Sequence, residues 1–121
     1  MIKTYGARKL GVRPAHRRML LRQLATGLVH HEKISTTEAK AKELKVYADR
    51  MISRLKKLDN LVMRWREVGR WLAPNGLDAE KKLLTTIVPR YAQRNGGCVR
   101  VIALPPRKSD TARLARVELV N

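Results

Sequence analysis

The sequence predicts an α+β fold: four helices packed on a small three-stranded sheet, with a basic N-terminal arm in front. Three observations carry that expectation. Apolar residues recur at helical spacing in four separate segments. Two stretches near the C-terminus, "CVRVIAL" and "RLARVELV", are rich in β-branched residues or alternate in polarity, and "KISTT" adds a brief third strand. Helices are grouped ahead of the last two strands, which suits a sheet covered by helices on one face. A length of 121 residues fits one domain with one core. We divide it into an arm, 1–13, and a single domain, 14–121.

The elements follow in order. Residues 1–13 carry Gly6, Gly11 and several cations without apolar periodicity, which predicts a flexible arm. Pro14 suits a first helical position, where its missing N–H is not needed. Leu20, Leu24 and Leu28, flanked by Leu21, Ala25 and Val29, then form one apolar face of a helix ending near His30. After the "KISTT" strand, Ser35 and Glu38 have capping-box spacing, with Thr36 or Thr37 as alternative caps. The second helix, about 38–57, places Ala41, Leu44, Ala48, Met51, Ile52 and Leu55 on one face. Asp59-Asn60 breaks it. A third helix, about 61–73, presents Leu61, Val62, Trp65, Val68 and Leu72 as its apolar residues. "APNG" at 73–76 is a turn. Asp78 is placed to cap a fourth helix, about 79–88, that ends at or near Pro89. "RNGG" at 94–97 is a second turn. Strands are expected at 98–104 and 113–120, with Ala115, Val117 and Leu119 set against Arg113, Arg116 and Glu118.

Charge narrows the function. Lys and Arg number 27 against 10 acids, a net charge of +17 and a pI near 11.1. Self-repulsion on that scale opposes compaction, and a polyanionic partner relieves it. The first 31 residues hold seven Lys or Arg and three His, and the first carboxylate is Glu32. Such a stretch matches the outline of a mitochondrial presequence. It runs straight into the strand-and-cap sequence, however, and its apolar face is wanted by the core. The same helix lacks the Trp or Phe that would anchor it at a membrane surface, and no apolar run approaches a membrane span. Nucleic-acid phosphate is the remaining partner. Two Trp, three Tyr and no Phe argue against an aromatic sheet that reads unstacked bases.

Catalytic and metal-binding readings are weak. In "HHEKIS", Ser35 stands where a zinc helix needs its second His, and adjacent His30 and His31 face different directions. Glu32 and Glu38 are a conceivable carboxylate pair, but Glu38 is better explained as a cap. Cys98, the single cysteine, sits in an apolar strand and reads as a small core residue. No cofactor, metal or small-molecule substrate is expected.

Phosphate contact is expected first from Lys3, Arg8, Lys9 and Arg13 on the arm. His16, Arg17, Arg18 and Arg22 extend it along the first helix, whose N-terminal N–H groups favour anions. Arg94, Arg100 and Arg107 form a second contact near Gly96 and Gly97, where missing side chains permit close approach. Such contacts position more than they read sequence. The runner-up function is an architectural DNA-compacting protein.

Three blocks in order point further: "RKLGVRPAHRRMLLRQLATGLVHHEKISTTEAKAKEL", "PRYAQRNGGCVRVIAL" and "RKSDTARLARVEL". With them the chain resembles the bacterial-type ribosomal large-subunit protein seventeen family over nearly its whole length. Asn95, Gly96, Gly97 and Arg100 match the family's turn. Val12, Cys98, Val99 and Ser109 depart from the bacterial pattern. "LATGLVHHEKI" and the last loop look more mitochondrial. The resemblance implies a non-enzymatic protein that binds large-subunit ribosomal RNA near the nascent-chain tunnel exit. Neighbouring ribosomal proteins, including protein thirty-two, are implied partners, in the mitochondrial matrix rather than a bacterial cytoplasm.

Overall fold

The structure is a computed structural model that describes residues 8–74 and 77–120. Lys3, the rest of the arm before Arg8, and Asn75-Gly76 of the expected turn lie outside those residues. The element order is α1 (Pro14–His31), β1 (Lys33–Thr37), α2 (Glu38–Lys57), α3 (Leu61–Trp71), α4 (Leu77–Lys82), a π-helical turn (Leu83–Ile87), α5 (Val88–Arg90), β2 (Val99–Leu104) and β3 (Leu114–Leu119). The sheet is antiparallel in the order β1-β3-β2. The α+β expectation holds, with the fourth helix built from three consecutive pieces.

α2 is the spine. Its residues Ala41, Leu44, Ala48, Met51, Ile52 and Leu55, the face the periodicity predicts, are all buried. They meet Val99 of β2, and Ala115, Val117 and Leu119 of β3. Inward and outward residues alternate along β3 because side chains on a strand repeat every second residue. The strand begins at Leu114 rather than Arg113. Leu114 therefore shares the outer face with Arg116 and Glu118, while Arg113 is exposed ahead of the strand.

Three local expectations are overturned. Ser35 does not cap α2, because it is a β1 residue registered against Arg116. Thr37 occupies the N-cap position without a side-chain bond, and the Glu38 N–H donates instead to the Arg113 carbonyl at 3.0 Å. Asp78 lies within the first turn of α4, not at its cap. Leu61 and Val62 are 60% and 58% exposed, since α3 starts beyond the core and only Val68 and Leu72 are fully buried there. As expected, the fourth helix ends near Pro89, one residue on at Arg90. The wider π turn accommodates the proline: the Val88 N–H donates to the Leu83 carbonyl five residues back.

α1 is buried only in its second half, through Ala25, Leu28 and Val29. Leu24 packs against the core but is only partly buried. The helix closes at Glu32, which adopts φ 63° and donates its N–H to the Leu28 carbonyl at 2.7 Å. That left-handed conformation disfavours a non-glycine residue, and surrounding contacts hold it. The Glu32 carbonyl accepts from Leu119 N–H at 3.0 Å, and its carboxylate is ion-paired with Arg90 at 2.5 Å and Lys82 at 3.9 Å. Glu32 is thus a structural junction between α1, β3 and the fourth helix, not half of an acid–base pair.

Candidate nucleic-acid interface

From Arg8 to Leu24 the chain contains no carboxylate and no buried residue. Its described N-terminal part is a tight turn: Leu10 and Gly11 both have positive φ, 59° and 69°, and Val12 N–H donates to the Lys9 carbonyl at 3.4 Å. Two consecutive left-handed residues are the pattern of a type I′ turn. Arg13 is the N-cap of α1 without a side-chain cap bond, and no acid lies in the first turn. His16 and Arg18 are exposed and Arg17 is partly so. A helix start with unsatisfied N–H groups, cations around it and no competing carboxylate is suited to bind phosphate.

Arg8 does not stand alone. It lines a shallow groove of about 430 Å³ with Lys42, Ala112, Arg113 and the start of α2. Glu38 is there too, bonded to Lys42 at 2.8 Å, and that ammonium holds its carboxyl below the usual carboxylate range. Lys42 and Arg113 were not singled out by sequence reasoning. Arg113 was legible only as an outward residue of the last strand, since what recruits it to this groove is the fold.

Arg22 has a different occupation. Its Nε donates to the Leu72 carbonyl at 3.0 Å and its Nη2 to the Gly69 carbonyl at 2.8 Å. A helix leaves its last carbonyls without intrahelical partners, and Arg22 supplies donors to two of them at the end of α3. Thr26 and Tyr47 complete the clasp: Ala73 N–H donates to Thr26 Oγ1 at 2.8 Å, and the Tyr47 hydroxyl donates to the Trp71 carbonyl at 2.6 Å. Arg22 therefore serves the fold first. Arg22→Ala is expected to lower stability by about 1.5–3 kcal/mol, the usual worth of hydrogen bonds to a charged group. Chemical denaturation of the variant checks this.

The Tyr47 clasp also sets a pH limit. Burial pushes its hydroxyl pKa up to about 12, with Arg22 opposing. An unfolded tyrosine titrates near 10. Stability from the neutral hydroxyl is thus fully present below about pH 10 and is lost as pH rises through about 12. Tyr47→Phe is expected to flatten the alkaline unfolding curve in that window. An unchanged curve would show that Tyr47 does not govern it.

The second cluster splits. Gly96 and Gly97 both have positive φ, 72° and 62°, so this turn requires glycine, and open space surrounds both. Arg94 and Asn95 are exposed beside them, and the Lys56 ammonium donates to the Arg94 carbonyl. The Cys98 N–H that follows donates to Asp49 at 3.1 Å, which fixes the turn on α2. Arg100 projects from the open face of β2 and is ion-paired with Glu118. Arg107 belongs to the β2–β3 loop, where it pairs with Asp110 at 3.5 Å. A strand rises roughly 3.4 Å per residue, so the length of β2 separates Arg107 from the Gly96-Gly97 turn. The expected joint contact of Arg94, Arg100 and Arg107 is not one patch. The Arg107 loop leads into Arg113, at the end of the sheet where Arg8 and Lys42 lie.

Burial, and secondarily the Asp49 carboxylate, push the Cys98 thiol above its usual range, away from a reactive thiolate. No group of three His, Cys, Asp or Glu placed to hold a metal occurs among the described residues. No helix there is long and apolar enough to cross a membrane.

Comparison with known proteins decides the family. The family model for ribosomal protein L17 matches residues 20–120. The chain belongs to the ribosomal protein L17 family. It is 42% identical to the large ribosomal subunit protein bL17 of Endomicrobium trichonymphae, over all of this chain and all of that one. It is 46% identical to the bL17 protein of Desulfitobacterium hafniense, over 93% of this chain and 97% of that one. Membership of the L17 family makes this a structural, non-catalytic protein. The family match begins at Leu20, so most arm and early-helix cations lie ahead of it.

Proposed function

We propose that the chain is a constituent of the large ribosomal subunit and docks on its ribosomal RNA through the arm and the first half of α1. The single observation that carries this is the uncompensated limb from Arg8 to Leu24, which the core does not bury and no acid neutralises. Lys3, Arg8, Lys9, Arg13, His16, Arg17 and Arg18 supply the primary contact. Lys42, Arg113 and the Arg107 loop extend it at one end of the sheet. Arg94, Asn95, Gly96 and Gly97 make a separate contact at the other end, and Arg100 stands on the sheet's open face. Arg22 contributes mainly by holding α1 to α3. Because phosphates dominate such contacts, RNA shape rather than base sequence sets the docking site.

The position near the tunnel exit, with ribosomal protein thirty-two as a neighbour, rests on the family resemblance. The mitochondrial matrix rests only on "LATGLVHHEKI" and the last loop. Both relatives compared above are bacterial and lend it no support. The DNA-compacting alternative likewise finds no support in relatives named as ribosomal proteins. Fractionation of source cells with ribosome pelleting tests the reading. Co-sedimentation with large subunits through a moderate-salt wash is expected. Recovery with the nucleoid, or release from subunits without salt, would overturn it.

A further inference from the structure

We infer that the groove between α1 and α3 receives one unpaired nucleotide of the docked RNA, its base against Trp71 and its phosphates against Arg18 and Arg70. The inference rests on the RNA-binding reading above and adds a site to it. The groove has a volume of about 530 Å³, and Arg18, Leu21, Tyr47, Glu67, Arg70 and Trp71 line it. Small-molecule sites typically span about 300–1,000 Å³, so one nucleotide is of the right scale.

Three features select that ligand. The first is a fixed aromatic wall. Tyr47 and Trp71 meet edge to face with centroids 5.1 Å apart. The Tyr47 hydroxyl is bonded to the Trp71 carbonyl, and Trp71 Nε1–H donates to Glu67 Oε1 at 3.2 Å. Rings held this way need little ordering when a base stacks on them.

The second feature is a cationic rim. Arg18 is exposed and has no carboxylate within ion-pair distance among the described residues. Arg70 is 78% exposed and reaches Glu67 only at 3.9 Å, too loose and too wet a contact to consume its charge. Arg22 also lines the groove, but its guanidinium is spent on carbonyls.

The third feature is Glu67, whose side chain is 14% exposed at the groove. Its Oε1 is engaged by Trp71 Nε1–H at 3.2 Å and by Arg54 at 3.5 Å, which offsets its charge and leaves Oε2 facing only the loose Arg70 contact. That oxygen accepts readily from the N–H groups on the edge of a base. Aromatic wall, cationic rim and acceptor together fit a nucleotide better than either phosphate or carboxylate alone. Bases inside a duplex stay stacked and paired, so only an unpaired one can enter. This is a single slot, not the multi-ring sheet that the scarcity of aromatics argues against.

Binding of the full chain to two RNA hairpins tests the site. One is fully paired, and the other carries a single bulged nucleotide. The wild-type chain is expected to prefer the bulged hairpin at least about 5-fold, the smaller end of base–aromatic stacking. Trp71→Leu should reduce that preference to parity while leaving affinity for the paired hairpin within about 2-fold, as should Arg70→Gln, a solvent-exposed change that does not threaten folding. In a Trp65→Phe background, the bulged hairpin should quench the remaining Trp71 fluorescence and the paired one should not. Equal affinity of the wild-type chain for both hairpins would overturn the slot and leave the docking reading intact. So would equal losses on both hairpins in Arg70→Gln. Preference for an acidic peptide over the bulged hairpin would also overturn it. Binding to neither hairpin would overturn the docking reading and the slot together.

Discussion

Deletion of residues 1–13 is expected to leave a folded domain that no longer docks stably on large-subunit RNA. Folding should survive because no residue from Arg8 to Arg13 is buried, and Arg13 makes no side-chain cap bond to α1. Pro14 then becomes the first residue, with its φ already set for a helix. The thermal midpoint should move only by the small amount usual for surface changes, about 0.5 kcal/mol in stability. Binding should change far more. The deletion removes Lys3, Arg8, Lys9 and Arg13. Each phosphate contact contributes about 0.7–0.9 to the slope of log affinity against log salt. The slope should therefore fall by roughly 3–4, and incorporation into subunits at physiological salt should fail. A truncated chain with the full-length slope and normal incorporation would show that the arm is not the grip. Ordering a residue costs roughly 1–2 kcal/mol in backbone entropy, so docking through the arm requires a larger return in released counterions. The described turn at Lys9–Val12 already fixes part of the arm.

What the sequence made legible follows from how local each signal is. The buried face of α2 could be read residue by residue, because a 20-residue helix displays its period many times over. The inner row of β3 could be read because alternation is strict. α3 was less legible: an apolar residue at its start looks like core, yet whether the core extends to Leu61 depends on neighbours far away in sequence. The cap at Ser35 failed for a related reason, since pairing with β3 claimed that residue for the sheet. Pro89 marked the end of the fourth helix to within one residue, but nothing local announced the π turn before it. For the interface, charge alone pointed to the arm and early α1. It did not separate Arg22, bonded to carbonyls 47 and 50 residues away, from Arg18, which is four residues distant and free of such bonds. Nor did it bring Arg8 to Arg113, or Trp71 to Arg18. Those juxtapositions arise only from packing.

Leu44→Ala is expected to have the largest effect on stability of any single change considered. Leu44 is 0% exposed, belongs to the row of α2 that faces the sheet, and is among the largest fully buried side chains. Truncation removes three heavy atoms from a site whose backbone is held on both sides. α2 is fixed at one end by the Glu38 N–H bond to Arg113 and further along by Asp49's bond to Cys98 N–H. The cavity cannot readily collapse, so the cost should fall within the usual 2–5 kcal/mol for a buried Leu→Ala change. A domain of this size has about 5–15 kcal/mol in total, so the variant should melt roughly 10 °C or more below the wild type. Val46→Ala is the matched control: Val46 lies two residues along the same helix but is 45% exposed, and should shift stability by no more than about 0.5 kcal/mol. Leu24→Ala, at a partly buried position, should fall between them. Equal midpoints for the Leu44 and Val46 variants would mean that α2 does not present this face to the sheet, and the placement of every cation that depends on α2 would fall with it.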